Sequence, residues 1–134
     1  MVFFLLEREQ VLKDGVFALN FTKSLKKNSD FVRAYKRGRF FAGRIIVIHI
    51  FPNQLEINRI GISISKKAGN SVKRNRVKRL IRGNYRFLED EIKKGYDIVF
   101  VFRKDNDIPS FKDLNKEMKY IMKKLDFFEK INNL

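Results

Sequence analysis

Cysteine is absent from this 134-residue chain, and only two prolines and one histidine are present. Without cysteine, disulfide bonds, cysteine-based zinc sites and thiol catalysis are excluded, and a reducing compartment is compatible with the sequence. We therefore expect a cytoplasmic location.

Long apolar runs are also missing, because no stretch approaches the roughly 18 apolar residues that a membrane span requires. The run 2–6 begins like a targeting segment, but it stops at Glu7 and has neither a basic region before it nor a small-residue cleavage site after it. We predict no signal peptide, no membrane span and no membrane partner.

Acidic residues are scarce relative to basic ones, with 15 Asp and Glu against 30 Lys and Arg and a formal charge of +15. An excess of positive side chains destabilises a fold, because these side chains repel one another. The simplest explanation of the excess is therefore an anionic partner. An acidic lipid surface is the competing partner, and it calls for a basic helix whose opposite side exposes apolar bulk.

The length allows one domain with a real core and is too short for two independent ones. We place residues 23–134 in a single domain. Residues 1–22 show no sustained period, so we leave them as an N-terminal extension whose role is unassigned.

Periodicity predicts a helix over residues 29–38, strands over 44–51, 59–65 and 96–102, and a last helix opened by Ser110. Together with a basic helix described below, and with one further strand before it that periodicity does not delimit, the order is αβββαβα. This order implies an α/β (α+β) two-layer sandwich, in which helices pack on a mixed sheet of about four strands.

One face of the strand at 59–65 has almost no side-chain bulk, because Gly61, Ser63 and Ser65 alternate with isoleucines. Such a face leaves room for a groove, although an ordinary exposed face explains the same pattern.

Apolar residues recur at helical spacing near the C-terminus, where Ser110 and Asp113 resemble a capping box. We take this stripe as core. Its members are Phe111, Leu114, Met118, Ile121 and Leu125. The nearby run 105–107 could ligate a cation, but a turn is the favoured interpretation.

The strongest local signal is the segment 66–86, which carries nine Lys and Arg residues and no Asp or Glu. Asn70 or Ser71 is placed to cap a helix that begins near Val72. At about 100° per residue, an apolar stripe lies on one side of this helix and basic side chains sweep the remaining arc. Because the stripe is needed for packing on the sheet, the pattern favours phosphate binding over membrane binding.

The same segment resembles the signature of the bacterial ribonuclease P protein family, centred on Arg74-Asn75-Arg76. The resemblance covers roughly residues 21–127, including the helix with Phe31 and Tyr35 and the strand that begins with Asp97. Gly83 departs from the family, which more often has a polar or acidic residue there. It should cost the helix about 1 kcal/mol relative to Ala.

The resemblance implies that the basic helix lies in a left-handed β-α-β crossover, an exception to the usual handedness. It also implies a protein subunit that joins a catalytic RNA to remove the 5′ leader from precursor tRNA. In that assembly Mg²⁺ is bound mainly by the RNA, the protein has no catalytic residues, and no organic cofactor or stable protein partner is expected.

Residue by residue, the resemblance implies two groups of contacts. The residues that would bind RNA are Lys66, Lys67, Asn70, Arg74, Asn75, Arg76, Lys78, Arg79 and Arg82. For a cleft that holds the single-stranded leader, the resemblance assigns stacking to Phe31 and Tyr35, or to at least one of them, because their spacing of four residues by itself fits a core role. The floor of that cleft would be the small-residue face with Gly61, Ser63 and Ser65. Stacking aromatics beside a basic track are typical of single-strand binding, in agreement with this division.

Three other functions are alternatives to this one. A nuclease acting alone would need clustered carboxylates or a histidine-based pair, and the single His49 sits in an apolar strand where a structural role is favoured. A purely structural binder, such as a ribosomal protein, shares the charge and the fold. A DNA regulator is disfavoured, because no second helix precedes the basic helix by a short turn.

Overall fold

The computed structural model describes residues 20–129, which form five strands and three α-helices. The strands are β1 (Thr22–Ser24), β2 (Arg39–Ala42), β3 (Ile46–Pro52), β4 (Asn58–Ser63) and β5 (Tyr96–Phe102). The helices are α1 (Asn28–Arg37), α2 (Ser71–Leu88) and α3 (Phe111–Lys124).

All five strands form one mixed sheet in the order β1-β4-β5-β3-β2. β4 is parallel to both β1 and β5, whereas β3 is antiparallel to β5 and β2. The predicted mixed sheet is therefore confirmed, with five strands instead of about four. The additional strand, β1, has three residues, too few to show a period of two, and begins one residue before the predicted start of the domain.

Strand alternation divides the apolar residues between the two faces of the sheet. On one face Ile48, Ile60 and Phe100 belong to a large core that α2 and α3 cover. On the other face Val99 packs in a smaller cluster with Leu25 and with Ala34 of α1. The sandwich of helices on a mixed sheet is confirmed, and α1 lies on the face opposite α2 and α3.

The basic helix joins two neighbouring parallel strands, because α2 runs from the end of β4 to the start of β5. Asn70 caps it, its Oδ1 accepting from the Lys73 backbone N–H at 2.9 Å. The helix is continuous through Gly83, which is buried. The predicted β-α-β crossover is thus confirmed, while its left-handed sense stays a prediction.

The start of α3 matches the predicted cap, since Ser110 Oγ accepts from the Asp113 backbone N–H at 3.0 Å. Leu114, Met118, Ile121 and Leu125 are buried, as the helical spacing predicts. The prediction that Phe111 belongs to the core is wrong, because its side chain is 39% exposed. At the first position of the helix, its ring lies beside the end of α2 and away from the sheet.

Candidate nucleic-acid interface

The predicted RNA contacts surround the first half of α2 and the turn before it. Most are on the surface: Lys66, Lys67, Asn70, Asn75, Arg76 and Arg79 are exposed, and Arg74 and Lys78 are half-buried. Because α2 contains no acidic residue, these side chains meet no counter-charge from their own helix. The surface presents arginine forks that suit bidentate contacts with phosphate oxygens.

The start of this surface is held by hydrogen bonds. Ser65 Oγ accepts from the Lys67 backbone N–H at 3.1 Å, and Arg74 Nε donates to the Gly69 carbonyl at 3.2 Å. Lys73 Nζ donates to the Asn106 carbonyl at 2.8 Å, which ties α2 to the loop after β5. Gly69 has φ of +148°, where an L side chain would be strained. The basic turn is therefore built to one geometry before any ligand binds.

Arg82 does not share this exposure. It is 3% exposed, so the prediction that it lies on the open arc of α2 is wrong. Residues 81–85 are all buried, and at about 100° each they cover more than a full turn of the helix. Residues 81–85 of α2 are therefore covered on every side, which a single apolar stripe does not predict, whereas Phe87 near the end of the helix is exposed.

The small-residue face of β4 is not an open floor along its whole length. Gly61 is buried, and a Cβ built there would lie 2.5 Å from Phe31 Cε1, so the ring of Phe31 covers the glycine. Farther along the strand, Ser63 is half-buried and Ser65 is exposed. Gly61 thus gives room to a side chain of α1, and the prediction that it is open to a ligand is wrong.

Three aromatic rings form a surface cluster beside Phe31. The Tyr35 ring meets His49 edge-on with centroids 5.0 Å apart, and the Phe40 ring stacks on His49 at 5.3 Å and 27°. Tyr35 and Phe40 remain 38% and 59% exposed. Burial lowers the pKa of His49, so its ring favours the neutral form that stacks as an aromatic. This cluster offers planar rings for bases.

Sequence reasoning missed Phe40 and His49 as members of this cluster. They lie opposite each other in the register of β2 and β3, which a single sequence does not give. The one available signal was strand alternation, which puts His49 on the face opposite Ile48 and Ile50.

An ion-pair cluster fixes α1 over the sheet next to these rings. Arg59 of β4 donates twice to Asp97 of β5, from Nε and Nη2, at 2.8 Å each. Its Nη1 also lies 3.4 Å from Asp30 Oδ2 of α1. Both carboxylates are almost fully buried, and hydrogen bonding to Asp97 raises the pKa of Arg59. The distance between α1 and the sheet therefore depends on Arg59.

In residues 20–129 no three Asp, Glu or His side chains are grouped to hold a metal ion. At the 105–107 loop, Asn106 Nδ2 donates to the carbonyls of Arg44 and Arg103, as expected for a structural turn. Over the same range no helix combines the length and the apolar character needed to cross a membrane.

Comparison with known proteins identifies a family and several relatives of this chain. A family model described as Ribonuclease P matches residues 19–126. The ribonuclease P protein component of Clostridioides difficile is 47% identical over 108 residues, covering 80% of this chain and 95% of that protein. The one from Clostridium botulinum strain Langeland is 42% identical over 105 residues, covering 78% and 95%.

Two solved structures resemble the chain in three dimensions. The Staphylococcus aureus RNase P protein aligns with a TM-score of 0.72 at 32% identity, covering 82% of this chain and 99% of that one. The Thermotoga maritima RNase P protein aligns with a TM-score of 0.67 at 26% identity, covering 73% and 93%.

Proposed function

This chain belongs to the ribonuclease P protein family, and from that membership we propose that it is the subunit of a cytoplasmic ribonucleoprotein that removes the 5′ leader from precursor tRNA. Membership implies a role in tRNA processing and an RNA subunit as partner. In the proposal, the RNA performs the hydrolysis. The protein binds that RNA through α2 and holds the single-stranded leader beside α1.

The observation that carries the proposal is the surface of α2 and its preceding turn. Six of the predicted contacts are exposed there, three in the turn and three on α2, and neither the turn nor the helix contains an acidic residue. A solvated helix face normally mixes both signs of charge, whereas a phosphate-binding face needs one sign.

The leader would lie on the opposite face of the sheet, on the rings of Tyr35, His49 and Phe40. Stacking on exposed rings is tolerant of base identity, because every base has a π-face. An enzyme that processes many precursor tRNAs needs such tolerance. Phe31, seated on Gly61, would form the inner wall of this cleft.

Magnesium is assigned to the RNA in this proposal. The described residues bring no three Asp, Glu or His side chains together, so they supply no carboxylate cluster that would hold Mg²⁺ by itself. What the protein supplies is positive charge and a positioned substrate, which lower the cost of bringing two polyanions together.

The test is cleavage of a precursor tRNA by a bacterial ribonuclease P RNA at low magnesium, with and without this protein. We expect clear stimulation at the mature 5′ end, because a +15 protein replaces part of the counter-charge that magnesium provides. RNA binding without stimulation would favour the purely structural binder, and a preference for duplex DNA would revive the DNA regulator.

Removing two exposed charges should flatten the salt dependence of RNA binding. In Arg76→Gln combined with Arg79→Gln, each lost phosphate contact lowers the log–log slope by about 0.7–0.9, so the total change is about 1.4–1.8. Affinities measured across a salt series report the slope. Lys123→Gln, in the last turn of α3, is the matched control and should leave it unchanged. An unaltered slope in the double variant would remove both arginines from the interface.

Replacing Tyr35 with Ala should weaken binding of leader-bearing substrate more than binding of mature tRNA. Loss of one stacked base corresponds to about 5- to 150-fold in affinity, whereas mature tRNA has no leader to lose. Val32→Ala removes a similarly exposed side chain from the same helix and serves as control. Equal losses on both RNAs would mean that Tyr35 supports the fold only.

A further inference from the structure

Two phenylalanine rings are exposed where the end of α2 meets the start of α3. Phe87 is 61% exposed and Phe111 is 39% exposed, and they contact edge to face with centroids 5.7 Å apart. Exposed aromatic pairs are uncommon on a soluble surface and mark binding sites more often than isolated apolar residues do. Neither ring belongs to the leader cleft, which lies on the other face of the sheet.

Positive charge surrounds these rings. The Arg86 guanidinium carbon lies 5.7 Å from the centroid of Phe87, within the range of a cation–π contact. Lys112 and Lys119 line the groove between the two helices at the same place, against one acidic residue, Glu91. Planar rings beside an excess of cations are the combination that single-stranded nucleic acid binds.

Phe87 also lies on the same side of α2 as part of the basic surface. Arg76 and Phe87 are eleven residues apart, so at about 100° per residue they lie within about 20° of the same side of the helix. At a rise of 1.5 Å per residue, the axial distance between them is about 16 Å. Arg76 and Phe87 therefore lie on the same side of α2 in its two exposed parts, which the buried residues 81–85 separate.

We propose that Phe87 is a stacking platform for an unpaired base of the RNA subunit, and that Arg86 and the two lysines bind the phosphates around that base. The inference rests on the proposed function and adds an RNA contact at the C-terminal end of α2. The stacked base belongs to the RNA subunit and not to the leader, because the leader is assigned to the opposite face of the sheet.

A second copy of the chain is a poorer occupant of this groove. A two-fold contact centred on Phe87 would bring Arg86, Lys112 and Lys119 of each copy against the same cations of the other. Such juxtaposed like charges oppose association, whereas a phosphate backbone neutralises them.

The experiment measures the affinity of the RNA subunit for the full-length wild type, Phe87→Ala, Phe87→Leu and Phe87→Tyr across a salt series. Leu55→Ala, which removes an exposed apolar side chain from the β3–β4 loop, is the matched control. We expect Phe87→Ala to lose about 5- to 150-fold in affinity with an unchanged salt slope, since the side chain is uncharged. Phe87→Tyr should retain affinity, and Phe87→Leu should lose it as Ala does.

Wild-type affinity in Phe87→Ala, or full retention in Phe87→Leu, would overturn the proposal, the latter because Leu keeps apolar contact without a stacking face. If Phe87→Ala also lowers the melting temperature, the comparison of Phe87→Leu with Phe87→Tyr shows whether affinity requires an aromatic ring at this position. A loss seen only with precursor tRNA added to the assembled complex would transfer the site to the substrate and overturn the assignment to the RNA subunit. Failure of the wild type itself to bind the RNA would instead overturn the proposed function.

Discussion

Arg59→Ala should destabilise the domain by about 3–5 kcal/mol, because it leaves the nearly buried carboxylate of Asp97 without its cation and removes one of the two cations beside Asp30. Asp97 loses both hydrogen bonds of a bidentate pair, and Asp30 loses its contact with the sheet. A domain of this size is typically stable by only about 5–15 kcal/mol, so the loss removes a large share. Thermal or urea unfolding of the free protein measures it.

Arg33→Ala is the matched control for this prediction. Arg33 also pairs with Asp30, at 2.9 Å, but it is a more exposed partner within the same helix. Such a pair contributes about 0.2–1 kcal/mol, because water screens it. If both variants lost the same small amount, water would have replaced Arg59 around the two carboxylates, and the cluster would not be what holds α1 against the sheet.

The same cluster connects stability with the proposed function. α1 carries Phe31 and Tyr35, and its separation from the sheet sets how wide the cleft beside them is. α1 is held on the sheet by this cluster as well as by the apolar contacts of Ala34, and the cluster places a guanidinium at the edge of a site proposed to bind a polyanion. Weakening the ion-pair cluster should therefore alter leader binding even under conditions in which the domain remains folded.

Local pattern was sufficient to predict much of this fold. The helix at 28–37, the capped basic helix and the strands at 46–52 and 96–102 follow from short-range signals in the sequence. Their hydrophobic period, their capping residues and their β-branched runs each fit one type of element. The Arg74-Asn75-Arg76 segment was recognisable because it lies in one continuous stretch of sequence on a single helix.

The features that local pattern did not predict depend on contacts between residues that are distant in sequence. Gly61 is small because Phe31, thirty residues earlier, occupies the space of a side chain. Phe40 and His49 are functional candidates only through the register between β2 and β3. Arg82 is buried although its type and neighbours predict exposure. In each case the missing information is which elements meet, and a single sequence does not state it.

The contact between Gly61 and Phe31 gives the second large effect. In Gly61→Ala the added Cβ overlaps the Phe31 ring, so either the ring leaves its seat or α1 moves from the sheet. Overpacking of this kind costs about 1–3 kcal/mol, partly offset by the reduced backbone freedom of the unfolded chain. Leader-bearing substrate should also bind more weakly, because the displaced ring enters the cleft. Unfolding and binding measurements on one variant report both effects.

A double-mutant cycle separates this overlap from a general intolerance of β4 to substitution. Phe31→Ala removes the ring that the new methyl group meets, so Phe31→Ala combined with Gly61→Ala should lose less stability than the two single variants added together, by about 1 kcal/mol or more. Ser63→Ala, on the same strand face but half-buried, should cost little by itself and show no coupling to Phe31→Ala. Additive losses in the Gly61 cycle would mean that the ring is not seated on the glycine, and Phe31 would then be free to stack on a base as an open side chain.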